Sequence, residues 1–114
     1  MPLPRANTIS RTFAALSDPT RLTILARLAK QGDMTVQDIA RPFAMSLPAV
    51  SQHLKVLEQA GLISRGRNGQ QRPCRLRPER LAAAQAWLDN TRHAWEARLD
   101  RLENFLAAKK DTRQ

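Results

Sequence analysis

The sequence predicts a mainly α-helical domain with one small β-hairpin and a long final helix, in the order ααααββα. Three observations carry this. Apolar residues recur at threes and fours over most of the chain, the repeat of one helix face. That repeat breaks once, around Asn68-Gly69, where two short stretches alternate as strands do. It resumes over about Glu79 to Ala108, a stretch too long to bury its apolar side on a small domain.

The chain has 114 residues, enough for one domain with a modest core. Hydrophobic residues make up 42%, so it should fold. Nineteen Lys and Arg against ten Asp and Glu give a net charge of +9, which favours a polyanion as partner, nucleic acid first. No apolar run approaches bilayer length and the N-terminus has no signal-peptide pattern, so a cytoplasmic, non-membrane protein is expected. Cys74 is the single cysteine, which excludes an internal disulfide and a cysteine metal cluster within one chain. The expected layout is a flexible N-terminus over 1–6, one domain over 7–108 and a flexible tail over 109–114.

The first helix is predicted from about Asn7 to Leu16, with Ile9, Phe13 and Leu16 on one stripe. Asp18 is a good N-cap and Pro19 suits the first helical position. The second helix should then carry Leu22, Leu25, Leu28 and Ala29 inward and stop near Gly32. Thr35 opens a third, with Asp38 in a capping-box-like place and Val36, Ile39, Ala40 and Phe43 as its buried stripe. Pro42 falls where that short helix should end, and Phe43 to Met45 connect it tightly to the next.

Ser46 to Gly61 is the stretch around which the rest is organised. Ser46 can cap it, Pro48 is tolerated in a first turn, and Gly61 can end it. At about 100° per residue, Leu47, Val50, Leu54, Leu57 and Gly61 share one side, while Pro48, Ser51, Gln52, Lys55 and Gln59 share the other. That outer face is small near its start and carries donors, acceptors and a cation. It suits the major groove, which admits a helix and where Ser and Gln meet base edges. Two helices joined by a tight turn, the second polar outside, make a helix-turn-helix.

Beyond Gly61, Leu62 to Arg67 and Gln71 to Arg77 flank Asn68-Gly69, a strong hairpin signal because both turn residues need positive φ. Cys74 and Leu76 alternate with Arg75 and Arg77. Pro73 cannot donate to a ladder and should lie at an edge. Between Leu62 and Pro78 stand five arginines and no acid. A basic hairpin directly after such a helix is a wing. Its Arg65, Arg67 and Arg72, with Asn68 at the tip, are expected against phosphates or an adjacent minor groove.

In the last stretch Leu81, Ala84, Leu88, Thr91, Trp95, Leu99, Leu102 and Leu106 repeat at threes and fours, widened by Trp87 and Phe105. The helix is either continuous or broken once. A second copy of the chain is the simplest cover for it.

The run LSDPTRLTILARL, then SLPAVSQHLKVLEQAGL, then the RNGQQ wing, resembles the ArsR/SmtB family of bacterial winged-helix repressors over roughly residues 8–108. The ending WLDNTRHAWEARLDRLENFL resembles a subgroup without metal-site cysteines. The resemblance implies a winged helix-turn-helix and a homodimer paired through its first and last helices. Ile9, Phe13, Leu16, Leu88, Trp95, Leu99, Leu102 and Leu106 are the candidate interface residues. It also implies binding to a palindromic operator in double-stranded DNA, with release on sensing an inducer. Carried over by position, Ser46, Pro48, Ala49, Ser51 and Gln52 face the groove and Lys55 the backbone. His53 matches the histidine of the SxHL pattern and either hydrogen-bonds within the domain or joins the DNA contacts.

Metal-sensing members carry cysteines before the recognition helix, or His and acid pairs on the last one. Here the third helix holds neither Cys nor His, and the last offers His93 among Asp89, Glu96, Asp100 and Glu103. Zinc prefers several His or Cys ligands, so no metal site and no cofactor are expected. Cys74 stands where relatives often have an aromatic, as a small buried strand residue or a redox sensor. An enzyme would need a nucleophile with its base, paired carboxylates or a phosphate-cradling glycine loop, and none is present. A metal- or redox-sensing repressor of the same fold is the alternative within the class. An RNA-binding or protein-interaction module is the alternative outside it, though RNA readers usually stack bases on sheet aromatics and aromatics are 4% of this chain.

Overall fold

The computed structural model describes the backbone of residues 4–66 and 72–111 and the side chains of residues 8–66 and 72–110. Seven elements follow in order: α1 Pro4–Leu16, α2 Pro19–Gln31, α3 Val36–Ala40, α4 Leu47–Gln59, β1 Ile63–Arg65, β2 Cys74–Leu76 and α5 Pro78–Asp111. They form two units, the first ending at Ala84 and the second starting at Gln85. The expected turn residues Asn68 and Gly69, with Arg67, lie outside the described residues.

In the first unit α1 begins at Pro4, three residues before the expected Asn7, since a first-turn proline gives up no helical bond. Thr12 is buried on α1, its hydroxyl donating to the Thr8 carbonyl at 3.0 Å. Asp18 caps α2 as expected, accepting from the Arg21 amide at 3.1 Å. The inward face of α2 differs from the expected one. Ile24, Leu25 and Leu28 are buried, while Leu22 is 50% exposed and Ala29 is exposed. Arg21 is the reason. It lies three and four residues before Ile24 and Leu25, on the same face, and its guanidinium finds partners there.

α3 is capped by Thr35, which accepts from the Asp38 amide, and buries Ile39. α4 is anchored by Val50, Leu54 and Leu57, each 0% exposed. Leu47, expected beside them, is 47% exposed. Side chains lean toward a helix's N-terminus, and at the first position no preceding turn lies beneath to receive one. Gly61, at φ +75°, ends α4. The Gly61 amide donates to the Glu58 carbonyl and the Leu62 amide to that of Leu57, with both leucines buried: a Schellman ending. A Cβ at Gly61 would also lie 3.0 Å from Arg80 Nε.

β1 and β2 pair antiparallel with Ile63 opposite Leu76 and Arg65 opposite Cys74. β2 is not at an edge at Cys74, because Met34 pairs with it from the other side: its amide donates to the Cys74 carbonyl and its carbonyl accepts from the Cys74 amide at 2.7 Å. Pro73 sits one residue outside that bridge, so its missing N–H leaves no ladder bond unmade. The core thus joins Ile24, Ile39, Val50, Leu54, Leu57, Leu62, Ile63 and Cys74, with Leu81 of α5 packed against it.

The second unit consists of α5 from Gln85 onward, helical without a break to Asp111. Its apolar residues are open: Leu88 is 49% exposed, Trp95 58% and Phe105 61%. Arg98 stacks over the Trp95 ring and Lys109 over the Phe105 ring, at 5.7 and 5.8 Å from the centroids. No helix of the described residues is long and apolar enough to cross a membrane.

Candidate nucleic-acid interface

Burial sorts the candidate residues of α4. Ser46, Pro48, Gln52 and Lys55 are exposed, and Ala49, Ser51 and His53 are half-buried. All lie on the side away from Val50, Leu54 and Leu57 or at its flank. Ser46 has a second task, since its hydroxyl accepts the Ala49 amide at 3.3 Å and so fixes where the helix starts. The outer face therefore presents an amide, a hydroxyl and an ammonium on a helix whose inner side is immobilised in the core. Such a face can hydrogen-bond the edges of bases and neutralise phosphate.

His53 is drawn into the domain. Its Nδ1 lies 3.2 Å from Arg21 Nη1 and 3.8 Å from Asp18 Oδ2. Arginine only donates, so in this contact Nδ1 is the acceptor. The same guanidinium donates to the Ala15 carbonyl from Nε at 2.6 Å and to the Ala14 carbonyl from Nη2 at 3.3 Å. Reasoning from sequence missed Arg21. Its place in the DPTR run was visible, its partners were not.

Arg27 does the same for α3. The Gln37 and Ala40 carbonyls accept from the Arg41 and Phe43 amides. Those of Asp38 and Ile39 accept from Arg27 Nη2 and Nη1 at 3.1 and 2.7 Å. Four carbonyls at the end of a five-residue helix are thus all satisfied. This matters for the site, because α3 packs on α4.

The hairpin arginines divide. Arg72 is exposed. Arg65 is half-buried, with its Nε out of contact with solvent and lacking a hydrogen-bond partner among the described residues. Arg75 is held by Asp33 through Nη2 at 3.0 Å, and Arg77 lies 3.8 Å from Glu79. The stretch with no acid of its own thus receives acids from either side. The Asp33 carboxylate pushes the Arg75 pKa up.

Cys74 is 0% exposed, and burial pushes its thiol above the ordinary value, with the Arg65 side chain acting the other way. The protonated thiol is the less reactive form. On α5, Arg92 stands between the two acids nearest His93, 3.6 Å from Asp89 and 3.8 Å from Glu96. Among the described residues no group of three or more His, Cys, Asp or Glu is arranged to hold a metal ion.

Comparison with known proteins agrees with this geometry. The model of the family described as "Bacterial regulatory protein, arsR family" matches residues 18–65, from the α2 cap to the end of β1. The transcriptional repressor SdpR of Bacillus subtilis is 52% identical over 62 residues, 54% of this chain and 68% of that protein. A crystal structure of an ArsR family transcriptional regulator superposes with a TM-score of 0.71 at 39% identity, covering 81% of this chain and 91% of the other. A solution structure from Mycobacterium bovis, a homodimeric winged helix-turn-helix DNA-binding domain, gives a TM-score of 0.62 at 30% identity over 78% of this chain and 83% of that one.

Proposed function

Because the chain belongs to the ArsR family and is a transcriptional regulator with a DNA-binding winged helix-turn-helix, we propose that it works in the bacterial cytoplasm as a homodimeric repressor on a palindromic operator, without a metal effector. The observation that carries this reading is α4. Its inner residues Val50, Leu54 and Leu57 are fully buried while Pro48, Gln52 and Lys55 stand exposed on the opposite side. α4 enters the major groove with Ser46, Pro48, Ala49, Ser51 and Gln52 toward the bases and Lys55 toward the backbone. Arg65 and Arg72 follow the phosphates, and Arg67 and Asn68, which lie outside the described residues, are assigned to the same contact.

The dimer is supported by the open apolar face of α5, where Leu88, Trp95, Leu99, Leu102 and Leu106 are each about half exposed. On the first unit, the half-buried Ile9, Phe13 and Leu16 of α1 are the residues proposed for subunit pairing. The Mycobacterium bovis relative is a homodimer. Footprinting on the DNA flanking the chain's own gene tests the proposal. Two protected half-sites related by a dyad, about 10 base pairs apart centre to centre, are expected. Protection of a single half-site, or none, overturns it.

A further inference from the structure

We propose that Arg21 is a positioning residue for DNA recognition: its guanidinium ties α4 to the α1–α2 corner through the His53 ring and holds that ring as the Nε2–H tautomer. This rests on the reading that α4 enters the groove. The contact joins residues 32 positions apart, so it is tertiary. It is also sheltered, with 23% of the His53 side chain exposed.

Geometry leaves Arg21 little freedom. Its own amide is bound by Asp18, and its side-chain nitrogens reach the imidazole, the Ala15 carbonyl and the Ala14 carbonyl, the last shared with the Ser17 amide and hydroxyl. Its side-chain hydrogen bonds go to two carbonyls and an imidazole nitrogen, while the Asp18 carboxylate attracts its charge, so the bonds supply direction. The rigid planar fork supplies those directions, which a lysine ammonium cannot reproduce. His53 is the neighbour of Gln52 and lies one turn after Ala49, both in the face assigned to the bases. A side chain that reads a base must be held within about half an ångström to be specific. The buried leucines of α4 set its depth, and the Arg21–His53 bond sets its rotation about its own axis. The same guanidinium grips the end of α1, a helix of the proposed subunit interface. It therefore links pairing of the subunits to the pose of the DNA-reading helix.

Two measurements on the full chain test this. The first is nitrogen NMR of the His53 ring at mildly alkaline pH. Wild type is expected to show an unprotonated Nδ1 and a protonated Nε2, and Arg21→Lys a mixture of both forms. An Nδ1–H ring in wild type overturns the proposal. The second is affinity for the footprinted duplex. Arg21→Lys should weaken it about tenfold, the effect of removing one charge-assisted bond, yet cost under about twofold in a His53→Leu background. An equal loss in both backgrounds would mean that Arg21 only caps α1, and overturns the proposal. If Arg21→Lys does not fold by circular dichroism, His53 variants replace it. His53→Asn, which keeps an acceptor at the δ position, should bind within about twofold of wild type and His53→Leu about tenfold more weakly; equal affinities overturn the proposal. If wild type binds no duplex DNA, the reading of α4 fails while the ring measurement still reports on Arg21.

Discussion

Asp18 shows how one side chain serves fold and site together. The Arg21 amide donating to it holds its carboxyl below the ordinary carboxylate value of 3.8, opposed by partial burial and helped by His53 and the Arg21 guanidinium. A folded value below the unfolded one means the carboxylate stabilises the fold above the unfolded value, and that this stability is lost as pH falls through the folded value. Asp18→Ala should therefore lower the thermal midpoint clearly at neutral pH and hardly at all in strong acid, which calorimetry at the two pH values checks. A second pair of residues separates bases from backbone. Gln52 is exposed on α4, and removing a bidentate pairing with adenine should cost about 1–3 kcal/mol on operator. Gln52→Ala should then spare binding to scrambled duplex and leave the salt slope unchanged. Arg72 is exposed on the hairpin. Each phosphate left without its cation lowers the slope by about 0.9, so about 1.8 for a dimer. Arg72→Ala should weaken operator and scrambled duplex alike. Salt titrations of both variants on both duplexes decide the assignment; matching behaviour would sink it.

Among the elements, the short α3 is held by its surroundings more than by itself. Five residues are too few for a helix stable in isolation, and its end is completed by Arg27 from α2. α5 presents the opposite situation, a long helix whose Leu88, Trp95, Leu99, Leu102 and Leu106 are each about half exposed. Trp95, 58% exposed beneath the Arg98 guanidinium, is the residue to change. Trp95→Glu should convert a dimer at micromolar concentration into a species of half the mass by light scattering. Operator affinity should fall with it, because each subunit alone reads one half-site. Full-mass particles from the variant would place the subunit interface elsewhere.

For the molecule as a whole, charge and metal chemistry set the partners. A net charge of +9 makes association with DNA strongly salt-dependent, and pairing two subunits doubles it. Against that background a divalent cation needs a built site to act specifically. His93 has Arg92 interposed between Asp89 and Glu96, so the acids that could assist it already face a cation. Stoichiometric zinc should therefore change operator affinity by less than about twofold. A gel-shift titration with zinc and then chelator measures it, and a tenfold loss restored by chelation would reveal a metal sensor.

The helices, their caps and the hairpin strands were legible in the sequence because they depend on local chemistry. Asp18 and Thr35 cap through amides three residues away, and Gly61 ends α4 by its own backbone freedom. The outer face of α4 was legible too, since its inner residues repeat at helical spacing. The tertiary structure alone decided what depends on distant partners. Leu22 and Leu47 look as apolar as Leu25 and Leu54, yet remain about half exposed, one because Arg21 takes the inward face and the other because it overhangs the helix start. Met34 becomes a ladder partner of Cys74 across forty residues with no strand pattern of its own to announce it. The carbonyls that Arg21 and Arg27 cap are fixed only once three helices have met, because a long flexible cation can reach many acceptors and packing selects among them.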